Sequence, residues 1–63
     1  MCEANVYIFK NGAEELLLES VDKIVPNEDT VLLENIFGQQ KIVKARIKEM
    51  ALVSHRIILE KIE

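Results

Sequence analysis

Ala4-Asn5-Val6-Tyr7-Ile8-Phe9-Lys10-Asn11-Gly12 is the stretch on which the reading of the fold turns. Ala4, Val6 and Ile8 alternate with Asn5, Tyr7 and Phe9, the period of two that a half-buried strand requires. Asn11-Gly12 then supplies the dipeptide that best tolerates the positive φ angles of a type I′ hairpin turn. A second strand is expected to run back through Leu16, Leu17 and Leu18 toward Ile24 and Val25.

Working outward, Pro26-Asn27-Glu28-Asp29 closes that strand, because proline removes a ladder donor and Asn and Asp favour turns. Thr30 to Phe37 forms a third run ended by Gly38, and Gln40 to Lys44 a fourth around Ile42 and Val43. Lys48 to Val53, a break at Ser54-His55-Arg56 and Ile57 to Ile62 read as a final hairpin. The competing reading of this third of the chain is a helix over 41–53, with Val43, Ile47 and Met50 on one face. Strands are preferred, given Ile57-Ile58-Leu59 and the lack of an N-cap at Gln40. Five or six short strands predict an all-β fold, a small SH3-like barrel closed so that few edges remain.

Sixty-three residues allow one domain, expected over residues 1–63. A chain of this length buries only about 60% of the surface its unfolded form exposes, so oligomerisation or a metal is a natural supplement. A single cysteine, Cys2, excludes an internal disulfide. Tyr7 and Phe9 share the strand face opposite Val6 and Ile8, which a barrel this small cannot bury internally. They either line a subunit interface or lie partly covered under a neighbouring loop.

Nearly half the residues are hydrophobic, so the chain folds. Eight Lys plus Arg stand against eleven Asp plus Glu, and the net charge of −3 disfavours non-specific nucleic-acid binding. No apolar run reaches the roughly 20 residues of a membrane-spanning helix. The first residues carry neither a basic leader nor an apolar signal core, so a cytoplasmic location is expected, with Cys2 reduced. No phosphate-binding loop is present, and one histidine and one cysteine are too few for a recognisable catalytic constellation; the protein is expected to bind rather than catalyse. Lys41, Lys44, Arg46, Lys48, Arg56 and Lys61 make the back half locally basic, either as a solvated surface or as an RNA-facing strip.

Cys2 is either a residue without a role near the terminus or a metal ligand. If Met1 is retained, its main-chain α-amine, the Cys2 amide nitrogen and the Cys2 sulfur can close two fused five-membered chelate rings. An amine, an ionised amide and a thiolate favour square-planar Ni(II) or Cu(II) over tetrahedral zinc. If Met1 is removed, the amine and sulfur of Cys2 itself still chelate. The open positions then fall to a second chain, a side chain or water. His55, between Ser54 and Arg56 in the last turn, is either solvated or a secondary nickel ligand.

Met1-Cys2, the run Ala4, Val6, Ile8 and Lys10, the Asn11-Gly12 turn, Ile36-Phe37 and the spacing through Ile57-Ile58-Leu59-Glu60 together resemble the CooT family. These are small nickel-binding accessory proteins of carbon monoxide dehydrogenase maturation. The resemblance implies an SH3-like homodimer that binds Ni(II) through Cys2 of its subunits. It also implies carbon monoxide dehydrogenase or its maturation machinery as a partner; it does not extend to His55. The alternative is a small-barrel RNA-binding or protein-interaction module in which Cys2 is incidental.

Overall fold

The computed structural model describes residues 3–62. Six strands take up more than half of the chain: β1 (Ala4–Lys10), β2 (Ala13–Pro26), β3 (Val31–Asn35), β4 (Gln40–Val43), β5 (Ala45–Ala51) and β6 (Arg56–Lys61). The helix considered over 41–53 is absent, and that span is β4 and β5. The third strand is shorter than expected, because the chain leaves it at Asn35 to form a turn over Ile36 to Gly38.

The hairpin turn stands where the sequence puts it. Lys10 pairs with Ala13, and the two residues between them have φ of 53° at Asn11 and 78° at Gly12. Both values are positive, as a type I′ turn demands. β2 is a 14-residue strand that serves two partners. Up to Val21 it pairs antiparallel with β1, and from Val21 onward with β3. Ser20 has a φ of 57°, and the register shifts on both sides of it. Such bulges sharpen the twist of a strand and bend it. The Ser20 N–H donates to Asn5 Oδ1 at 3.2 Å, which ties the bend to β1.

All strands lie in one sheet of order β4-β3-β2-β1-β6-β5, with β1 and β6 parallel and the other pairs antiparallel. β4 and β5 stand at opposite ends of that order, yet only Lys44 separates them in the chain. The sheet must therefore curl until its edges approach, which gives a barrel-like form. The expected closure by a strand ladder does not occur among the described residues, since β4 and β5 pair only inward. The one-residue corner at Lys44 turns the strand before it can run alongside itself. On the concave side Val6, Leu18, Val21, Val31, Leu33, Ala45, Ile57 and Leu59 form the core, with every strand except β4 contributing a fully buried residue. Val43 of β4 packs against it.

The convex side carries a second apolar layer. Tyr7 lies beside Ile58 in the parallel register, and Ile58 is only 6% exposed although it stands outside the core. The Arg56 guanidinium lies 4.6 Å from the Tyr7 ring centroid, and Lys48 Nζ 4.4 Å from that of Phe9. Tyr7 and Phe9 are thus half-buried, each beside a cation carried by another strand rather than under a loop.

Candidate metal centre

The start of β1 and the turn before β6 lie side by side because those strands run parallel, with Asn5 opposite Arg56. The Asn5 N–H donates to the His55 carbonyl at 2.9 Å, and the His55 N–H donates to the Leu52 carbonyl at 3.2 Å. Both bonds hold His55 in a left-handed conformation, φ 56°, which is uncommon for a side-chain-bearing residue. Its side chain is exposed in the turn, as expected.

Two clefts meet at this end of the molecule. One, polar and about 380 Å³, is lined by Glu3, Asn5, Ser54 and His55. The other, about 270 Å³, is lined by apolar Ala4, Val21, Ile24, Leu52 and Ile57 together with Glu3, Asp22 and His55. It opens onto the core at the mouth of the barrel. Sequence reading named neither this cleft nor Glu3 and Asp22 as part of a site. Nothing local marks it, because it exists only once residues some fifty positions apart are paired.

Met1 and Cys2, the principal candidate ligands, lie outside the described residues. Glu3, to which Cys2 is bonded, lines both clefts together with His55. Among the described residues no three of His, Cys, Asp and Glu gather closely enough to hold a metal ion. The sequence offers further donors at Met1 and Cys2. The donor set available there is soft sulfur plus main-chain nitrogen, which suits nickel or copper and not calcium or magnesium.

Half of the basic residues of the back half are engaged, while Lys41 and Lys44 are exposed. Arg46 pairs with Glu60 at 3.1 Å, Arg56 with Glu14 at 2.7 Å, and Lys48 is engaged with Phe9. Lys61 stands beside Lys10 and Glu60 in a shallow cleft of mixed charge. No helix of the described residues is long and apolar enough to cross a membrane.

The fold and this end of the barrel define a small all-β protein with two apposed clefts and an exposed imidazole. The chain belongs to the CooT family: its residues 1–60 match the family model described as CO dehydrogenase accessory protein CooT. It is also similar to a crystal structure of a CooT protein from Carboxydothermus hydrogenoformans. That structure is 55% identical in sequence, with a TM-score of 0.90 over 98% of this chain and 100% of the other. No curated protein matches.

Proposed function

We propose that this protein is a cytoplasmic, non-catalytic, nickel-binding homodimer that holds or delivers Ni(II) for maturation of a nickel enzyme such as carbon monoxide dehydrogenase. The observation that carries this reading is the family match, which spans Met1 and Cys2 and names an accessory role to CO dehydrogenase. Cys2 supplies a thiolate, and main-chain nitrogen of the N-terminus, Met1 included where it is retained, supplies the adjacent donors. The fused five-membered rings make this grip local, so it asks little of the fold. Cys2 is bonded to Glu3, a lining residue of both clefts at the barrel mouth, and this adjacency supports the reading. His55, held by its backbone at the edge of the same clefts, is a secondary ligand.

Nickel titration of the untagged protein tests the reading. Thiolate-to-nickel absorption should appear with the parent and vanish with Cys2→Ser, which keeps the shape but offers a much poorer ligand. His55→Ala should leave the main signal intact. Nickel bound as tightly by Cys2→Ser as by the parent, and lost in His55→Ala, would replace the terminal chelate by His55.

A further inference from the structure

The far ends of β1 and β6 lie side by side at the end of the barrel away from its mouth. Their parallel register runs from Asn5 opposite Arg56 to Phe9 opposite Glu60. Each strand stops one residue later, at Lys10 and at Lys61. Two like charges therefore stand next to one another on neighbouring strands. Both lysines line one cleft of about 290 Å³, together with Phe9, Asn11 and Glu60. Like charges facing each other across adjacent strands repel, so the fold holds this pair at some cost to its own stability.

No carboxylate among the described residues forms an ion pair with either lysine. Glu60 is the one acid lining the cleft, and Arg46 donates to its Oε1 from Nε at 3.2 Å and from Nη2 at 3.1 Å. Glu15 stands diagonally across the hairpin from Lys10 without reaching it. Lys48, over the Phe9 ring, adds a further cation beside the cleft. The backbone on both sides is fixed. The Ile62 N–H donates to the Lys44 carbonyl at 3.0 Å, just past the end of β6, and the hairpin turn at Asn11 and Gly12 closes the end of β1.

We propose that this cleft binds a phosphate-type dianion, free or as a monoester, between the Lys10 and Lys61 ammonium groups, with the Asn11 amide as a further donor. Two adjacent ammonium groups match a dianion in charge, and lysine serves phosphate as a point charge. The net charge of −3 on the whole chain restricts the site to a compact anion, because an extended nucleic-acid backbone meets repulsion beyond the cleft. The site stands apart from the nickel chemistry, since neither lysine lines the clefts beside Glu3.

Titration of the metal-free, full-length, untagged protein with inorganic phosphate, followed residue by residue through its amide NMR signals at low salt, tests it. Saturable shifts should appear at Phe9, Lys10, Asn11, Glu60 and Lys61, and chloride at equal ionic strength should not produce them. Lys10→Gln and Lys61→Gln should each weaken phosphate binding roughly fivefold, and the double variant should abolish saturation. Lys23→Gln, an exposed lysine of β2 paired with Glu34, should leave the affinity unchanged. Circular dichroism on each variant verifies the fold. Adenosine monophosphate in place of phosphate separates the two sources. Tighter binding assigns the site to a monoester whose ring system reaches Phe9, and equal affinity assigns it to the free ion. Phosphate shifts no larger than those from chloride would overturn the assignment, as would a double variant that binds like the parent. It is equally overturned by a short single-stranded RNA that outcompetes phosphate and also shifts Lys41 and Lys44, which would make the two lysines part of an extended strip.

Discussion

Asn35 shows how much of a fold can hang on one side chain. It sits at the end of β3, and its amide takes the place of the ladder that the chain abandons there. Replacing it by alanine strands the N–H groups of Phe37 and Gln39, so Asn35→Ala should cost about 2–3 kcal/mol, read from the urea midpoint. Gln39→Ala removes only the outer bond, at an exposed position, and should cost less than about 1 kcal/mol. At Gly12 the logic is purely conformational. Nothing lies within 4 Å of where a Cβ would stand, but the φ of +78° disfavours any L side chain. Gly12→Ala should therefore destabilise by about 1 kcal/mol through the backbone alone. That turn was legible in the sequence because Asn-Gly is a local signal with a local cause. Ser20 adopts the same left-handed region with no such signal, since it lies where β2 bends from its pairing with β1 to its pairing with β3.

At the scale of elements, the number of strands and nearly every turn could be read from spacing, whereas the partners could not. The parallel pairing of β1 with β6 joins the two ends of the chain, and no period of two reports on that. The same pairing creates the clefts, so the candidate site was legible only as covalent chemistry at Met1-Cys2 and as an exposed His55, not as a place. The convex layer illustrates what pairing brings together. Arg56 of β6 stacks on Tyr7 of β1 and reaches Glu14 of β2, so one cation laces three strands. Its guanidinium and the Glu14 carboxylate are each more than a third exposed, so water screens most of the ion pair. The larger share belongs to the stacked ring and the buried stem. Arg56→Ala should cost about 1–2 kcal/mol, and a double-mutant cycle with Glu14→Gln should assign less than about 1 kcal/mol of it to the ion pair.

For the whole molecule, an open barrel with a small core has much to gain from a partner, and a nickel ion can bring one only if its ligands come from two chains. The terminal chelate of a single chain is made by adjacent atoms and forms as well on an unfolded chain as on a folded one. Nickel held that way binds both states alike and leaves the stability of the fold unchanged. A site bridged by the Cys2 thiolates of two folded chains exists only in the native dimer, so nickel then stabilises it by mass action, about 2.7 kcal/mol at a hundredfold excess over the dissociation constant. We expect the bridged case, because the proposed homodimer binds Ni(II) through Cys2 of its subunits. The thermal midpoint should rise with added nickel and level off at one ion per dimer. Since the thiols and amines must lose protons to bind, the rise should grow as pH increases. Cys2→Ser should abolish the rise at every pH. A midpoint that ignores nickel while the thiolate absorption still develops at one ion per chain would show each terminus chelating alone.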